Sequence, residues 1–434
     1  MKPTSRTSRI ALLAAVASLA LTATACGGSD GGNDVKSGGK PVTITYWSAT
    51  AGAKETAAAF NKSHQDVKVK FAEVPAGPDG VTKLSNAIKG GNAPDVATMD
   101  YSELPEFASQ GNLTDLSKVA GDTVKHKFPE GVQSLVNLGG KTWAVPFDIT
   151  PLELYYRADL FKKYGVDVPN TWADYQKAAE TIKKKNPEVR ITNFGGNDPA
   201  IMAGLAWQAG AKWYATSGNA WKVNMQDPAS TKVADFWTNL VTKDLVSKTP
   251  LWAPEETKER ASGKVVSFIG AAWSAGGMST TYGDTKGKWA IAPLPTWDGK
   301  PATGMYGGTS YIVPKGGKAE VASEFIDWVT TSKAGLKARF TSLKAPSSAL
   351  PANAEMRAVA AQSYDKSFFP AGVDPYRIAS AAADTIVPGW TWSPVQQQVN
   401  AAMNKSAADF AKGQAEGQKA AETAVNERGL SLAK

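Results

Sequence analysis

Four runs with the character of buried strands each end on a flat or acidic side chain. Trp47 closes Val42-Thr43-Ile44-Thr45-Tyr46-Trp47, and Asp100 follows the run from Pro94 to Met99. Asp148 follows Pro146-Phe147, and Trp273 follows Gly263-Lys264-Val265-Val266-Ser267-Phe268-Ile269-Gly270. Ligands of open α/β sheets sit beyond the C-terminal ends of the strands, so these four residues are the first candidates for a binding site. An aromatic face suits the C–H faces of a hydroxylated ring, and a carboxylate accepts hydrogen bonds from its rim. Each candidate also has a plain structural reading. Trp47 could cap a sheet, Trp273 could be a core ring, Asp100 could cap a helix starting near Ser102, and Asp148 could cap a crossing between domains. Asp198, in Asn197-Asp198-Pro199, shares the helix-cap alternative. Gly307 and Gly308 would let backbone approach a ligand closely or supply hinge freedom, and Tyr306 beside them is an edge contact. Trp390 and Trp392 alternate, so if extended they point oppositely; one would face a ligand, Trp392 being the first choice, and the other would pack.

Other chemistries have little material. Two histidines, His64 and His126, and one cysteine, Cys26, leave no basis for a metal centre, an internal disulfide or histidine-based nucleophilic catalysis. No cofactor and no catalytic residue is expected. Fourteen tryptophans and 12 tyrosines are the surplus in this chain of 434 residues. Trp143, Trp172, Trp221, Trp237, Trp289 and Trp328 read as packing residues, and Trp207 as either.

The N-terminus reads as an address. Lys2, Arg6 and Arg9 precede an apolar stretch from Ile10 to about Leu21 and small residues up to Ala25, the layout of a secretory signal over residues 1–25. Ala23-Thr24-Ala25-Cys26 resembles a bacterial lipobox, with Ala23 where leucine is usual, which implies lipidation of Cys26 and anchoring to the outer face of the cytoplasmic membrane. Residues 26–40 form a flexible tether. Removing the signal lowers the formal net charge from +8 to +5. The remaining lysines are scattered, so nucleic acid is not an expected partner.

Beyond the tether, strands are expected at 42–47, 67–74, 94–99, 263–270, 288–294 and 309–314, with a hairpin between 137 and 145. Helices are expected at 54–63, 81–89, 158–164, 171–185, 199–210, 229–243, 319–332, 333–340, 376–387 and 394–428. The alternation implies an α/β fold with mainly parallel sheets.

The order of landmarks resembles the extracellular solute-binding proteins of bacterial ABC importers, within them the sugar-binding group that includes maltose-binding protein. Ala93-Pro94-Asp95-Val96 leads to Gly111-Asn112-Leu113-Thr114-Asp115-Leu116, and Trp143-Ala144-Val145-Pro146 to Leu154-Tyr155-Tyr156-Arg157-Ala158-Asp159-Leu160-Phe161. Pro169-Asn170-Thr171-Trp172-Ala173-Asp174, Gly263 to Trp273, Ala292-Pro293-Leu294-Pro295, and Gly307-Gly308-Thr309-Ser310 before Ile312-Val313-Pro314-Lys315 complete the series. The resemblance runs from about residue 41 to 428. It implies a two-lobe periplasmic-binding-protein-like fold (type II) with an interlobe cleft. Residues 41–148 with 313–367 would form lobe one, and 149–312 with 368–434 lobe two, with crossings near 148–151, 308–313 and 366–371. It further implies a monomer, not an enzyme, that captures a carbohydrate, an oligosaccharide for preference, and hands it to ABC permease subunits. Its membrane contact would be through the lipid anchor alone. Two other readings stand beside it. The same fold could hold a polyol, a nucleoside or a phosphate ester, the last of which would want arginines in the cleft. An extracellular glycosidase would need two carboxyls facing across one bond.

Overall fold

The computed structural model describes residues 40–217, 220–341, 347–406 and 409–432. The signal segment, Cys26 and most of the tether lie outside them. The β-branched and aromatic run Val42–Ser48 forms a strand that buries Ile44, Tyr46 and Ser48, every second residue, as the period of a pleated strand requires. It pairs in parallel with Val67–Glu73, Val42 opposite Val67, and with Val96–Asp100, Tyr46 opposite Val96. Thr309–Ile312 then runs antiparallel to Val96–Asp100, and Val145–Pro146 antiparallel to Thr309–Ile312. These five strands make the larger sheet. Helices Ala53–Ser63 and Ala319–Thr331 cover it, and their contact is aromatic: Tyr46 and Phe60 both meet the Phe325 ring edge-on, at centroid distances of 5.1 and 5.2 Å.

A smaller sheet has Leu152–Arg157 at its centre, with Ser267–Ala271 and Trp289–Pro293 on either side. Both pairings are antiparallel. The expectation of mainly parallel sheets therefore holds only for the first three strands of the larger one. Parallel neighbours come from successive strand–helix crossovers. Here the flanking strands return from more than 100 residues further along the chain, free to run either way.

The chain passes from the larger to the smaller sheet between Pro146 and Leu152, and back between Pro293 and Thr309. The strand Thr309–Ile312, expected with the second lobe's residues, lies in the larger sheet, so this second crossing ends by residue 308. The apolar run Tyr311-Ile312-Val313 is buried and cannot be divided between two lobes.

Local signals place the other elements that matter. Thr171 and Asp174 form a reciprocal capping box that starts helix Trp172–Lys185. Gly139 and Gly140 turn the hairpin of Asn137–Leu138 with Lys141–Thr142, both at positive φ. The helix expected over 394–428 is two helices, Gln396–Asn404 and Phe410–Glu427, which pack on each other. Asp409 caps the second through Lys412 N at 3.0 Å, a start signal that the even alanine content obscures. A further ribbon, Tyr214–Ser217 with Ala220–Val223 and Ser431–Leu432, was not foreseen. Among the described residues no helix is long and apolar enough to cross a membrane.

Candidate functional site

The C-terminal end of the larger sheet and the turn after the smaller sheet's Ser267–Ala271 strand open onto one cavity of about 840 Å³. Trp47, Asp100, Asp148, Asp198, Trp273, Tyr306 and Gly308 all line it. Such a volume lies within the range of small-molecule sites, roughly 300–1,000 Å³.

Thr309 organises the floor. Its backbone N donates to Asp148 Oδ1 at 2.7 Å, and its hydroxyl donates weakly to Asp100 Oδ1 at 3.4 Å, so one residue spans both carboxylates. Tyr101 donates through its hydroxyl to the Asp148 carbonyl at 2.9 Å and through its backbone N to the Gly308 carbonyl at 3.0 Å. Gly308 stands at φ +106°, and a Cβ there would sit 2.9 Å from the Tyr101 ring, so close approach excludes any side chain. Asp100 does not cap the following helix; Leu104–Ser109 begins at Glu103 without a side-chain cap.

The floor is electrostatically loaded. Burial raises the Asp148 carboxyl to about 7, with the Asp100 charge adding and the Thr309 hydrogen bond and Arg339 opposing. Asp100 is reached by water from the cavity, yet the protein crowding its other sides raises its carboxyl to about 6. Glu103 also lines the cavity, and its buried Oε2 has no hydrogen-bond partner among the described residues. Burial, with the charges of Glu106 and Asp100 beside it, raises Glu103 to about 8. Sequence reading passed over Glu103; its place three residues after Asp100, on the turn into a helix, was the available signal.

The opposite wall is aromatic. Trp273 follows the strand Ser267–Ala271, is half-buried, and donates from Nε1 to the Tyr306 carbonyl at 3.0 Å. Tyr306, tilted against it at 5.3 Å, donates its hydroxyl to Asp198 Oδ2. Asp198 fills its cap reading, because its Oδ1 caps helix Pro199–Gln208 through Ala200 N at 3.0 Å, and it lines the cavity as well. Its Oδ2 also accepts from Trp252 Nε1 at 2.9 Å. Trp252 is the second residue missed: it stacks on Trp273 at 5.8 Å and 28°, is 66% exposed, and holds φ +71°. A bulky residue in that region is strained by about 1–3 kcal/mol. The sequence signal was a tryptophan in a short loop between two prolines, Pro250 and Pro254. Trp47, on the first strand, is half-buried with Lys83 Nζ 5.1 Å from its ring centroid.

Trp390 and Trp392 are corrected. Neither lines the cavity, and they are only 2% and 3% exposed. Trp390 stacks on Trp207 at 5.2 Å and meets Trp392 edge-on at 5.4 Å, while Trp213 tilts against it at 5.4 Å. The segment is not a strand, so alternation carries no facing rule there. Among the tryptophans read as packing, Trp172, Trp237 and Trp289 are buried, and Trp143, Trp221 and Trp328 are partly buried against the core.

The described lining carries four carboxyls, Asp100, Glu103, Asp148 and Asp198, and no lysine, arginine or histidine. Among the described residues no group of three or more His, Cys, Asp or Glu is placed to hold a metal ion. The arrangement can stack a flat ring and accept many hydrogen bonds. Among the described residues its lining offers no cationic side chain for an anion.

Comparison with known proteins gives a consistent set of likenesses. The family model for bacterial extracellular solute-binding proteins matches residues 46–336. The arabinooligosaccharide-binding protein of Bacillus subtilis is 27% identical over 324 residues, 70% of this chain and 72% of that one. Among solved structures, the galacto-N-biose-/lacto-N-biose I-binding protein of an ABC transporter from Bifidobacterium longum, in complex with lacto-N-biose, is 28% identical. Its TM-score is 0.80, and the match covers 92% of this chain and 100% of that one. The ABC transporter associated binding protein from B. animalis subsp. lactis Bl-04, in complex with β-1,6-galactobiose, is 25% identical with a TM-score of 0.78, covering 91% and 100%.

Proposed function

The chain belongs to the bacterial extracellular solute-binding protein family, and from that premise we propose that it captures a carbohydrate, specifically an oligosaccharide, and delivers it to the permease subunits of an ABC importer. One observation carries the reading. Seven candidate residues from separate stretches of the chain converge on a single cavity where the rings of Trp47, Trp273 and Tyr306 stand beside Asp100, Asp148 and Asp198. Aromatic faces complement the C–H faces of a sugar ring, and the carboxylates accept from its hydroxyls. The sugar ligands of the related binding proteins support it.

Residues 41–148 with 309–367 form one lobe in this proposal, and 149–308 with 368–434 the other. The cavity between their sheets closes around the ligand by hinge motion, so that the permease meets a distinct loaded shape. Lipidation of Cys26 tethers the monomer to the outer face of the cytoplasmic membrane. The acidic lining argues against a phosphate ester, since burying an anion beside like charges is costly.

A thermal-shift screen tests the reading against oligosaccharides, polyols, nucleosides and sugar phosphates, with chromatography of each ligand afterwards. A ligand at about 100 times its Kd stabilises the fold by roughly 2.7 kcal/mol. The expected result is a raised melting temperature with oligosaccharides that are recovered intact. A shift with sugar phosphates alone, or hydrolysis of the oligosaccharide, would overturn it.

A further inference from the structure

A second cavity, of about 290 Å³, lies behind the aromatic wall of the first. The two share Trp252, Trp273 and Tyr306 as common lining, so these three side chains form the partition between them. The second cavity is amphipathic. Phe268 and Met278 give it apolar surface, while Glu256, Arg260 and Thr281 give it polar groups. Arg260 lies over the Phe268 ring at 4.3 Å and pairs with Glu256. A flat ring with a hydroxyl rim suits that mixture as it suits the first cavity.

The three partition members are not held alike. Tyr306 is 6% exposed, and Trp273 is fixed to the Tyr306 carbonyl. Trp252 is 66% exposed, at a positive φ that a tryptophan rarely adopts. Its loop is clamped from outside: Leu251 exchanges two hydrogen bonds with the Asn197 side chain, at 2.8 and 3.1 Å, and Trp252 N donates to Glu256 Oε2 at 2.6 Å. Its indole N–H is taken by Asp198. Backbone strain persists where the surroundings over-determine it, and it gathers at ligand clamps.

We infer that Trp252 is the specificity-determining residue for ligand length, its indole ending the first cavity against a sugar chain that would otherwise run on into the second. This rests on the carbohydrate reading and deepens it. With Trp252 in place, the terminal ring stacks on the partition and longer chains meet it end-on. Without it, only Trp273 and Tyr306 stand between the cavities, and the chain passes beside them into the second with at least one more sugar unit.

The test compares the wild type with Trp252→Gly, which relieves the positive φ, and Trp252→Phe, which keeps a ring on Trp273. The probes are arabino-, malto- and β-1,6-galacto-oligosaccharides from disaccharide to pentasaccharide, with affinities from calorimetry and ligand-free melting as the folding control. In the series that the wild type binds, Trp252→Gly should move the preferred length up by at least one unit and weaken the shortest member at least tenfold. Trp252→Phe should keep the wild-type preference. An equal loss at every length, or no change, overturns the length role while leaving carbohydrate binding in place. A wild type that binds none of the series overturns the carbohydrate reading, and the length role with it.

Discussion

At the scale of single residues, the carboxyls decide how the ligand-free protein responds to pH. Asp100, Glu103, Asp148 and Glu153 are raised to about 6, 8, 7 and 8, with burial the first cause in each. A carboxyl raised in the folded state is bound to its proton more tightly there than in the unfolded chain. Its stabilising protonation is complete below the ordinary value near 4 and is lost as pH climbs through the folded value. The unliganded protein should therefore lose stability between about pH 4 and 8. For Asp148, 5% exposed, a value of about 7 against an ordinary 3.8 corresponds to roughly 4 kcal/mol against the charged form. Asp148→Asn should flatten the decline, gaining on the wild type by roughly 4 kcal/mol at pH 8 and by less than half as much at pH 5. Urea denaturation at the two pH values reads this directly, and parallel declines in both proteins would rule it out.

At the scale of elements, the helix Pro199–Gln208 does more than pack. Its cap, Asp198, holds the helix start with one oxygen and both Tyr306 and Trp252 with the other, so helix, crossing and loop meet at one carboxylate. Removing a capping acid costs about 0.5–2 kcal/mol, and leaving a buried hydroxyl without its acceptor about 1–3. Asp198→Ala should lower stability by about 2–4 kcal/mol in denaturant titration. Asp198→Asn should recover the cap share but not the rest, because its oxygen can cap while its amide nitrogen cannot accept from the two side chains. Equal losses in both variants would mean that the cap contributes nothing. Much at this scale is legible in sequence, since the capping boxes, strand periods and glycine turns act over neighbours within a turn or two. The break before Asp409 is such a signal overlooked, whereas the antiparallel small sheet, made by strands more than 100 residues apart, has no local mark.

At the scale of the whole molecule, the proposed function requires the cavity between the two sheets to close on its ligand. Closing on a bound oligosaccharide should reduce the radius of gyration in small-angle scattering of the soluble protein from residue 27 onward. An unchanged radius with binding verified in the same sample would exclude hinge closure as the signal to the permease. The proposed anchor is separable from the proposed closure. Cys26→Ser should move the protein from the membrane fraction to the medium with ligand affinity unchanged, and equal membrane retention of the variant would dismiss lipidation.

The sequence by itself determined the α/β class and the strand ends near which Trp47, Asp100 and Trp273 stand, because each depends on the period and polarity of a short run. It also brought Asp198, Tyr306 and Gly308 into consideration, though not together. Only the tertiary structure decided which tryptophans face the cavity. Trp390 and Trp392 are absorbed into a cluster with Trp207 and Trp213, and Trp252 takes the exposed place on the partition. A tryptophan's burial is set by the rings and acceptors that meet it from distant parts of the chain. Asp198 lies 54 residues from Trp252 and 108 from Tyr306. No pattern along the chain encodes a meeting of that range, so the site's aromatic wall exists only once the chain has folded.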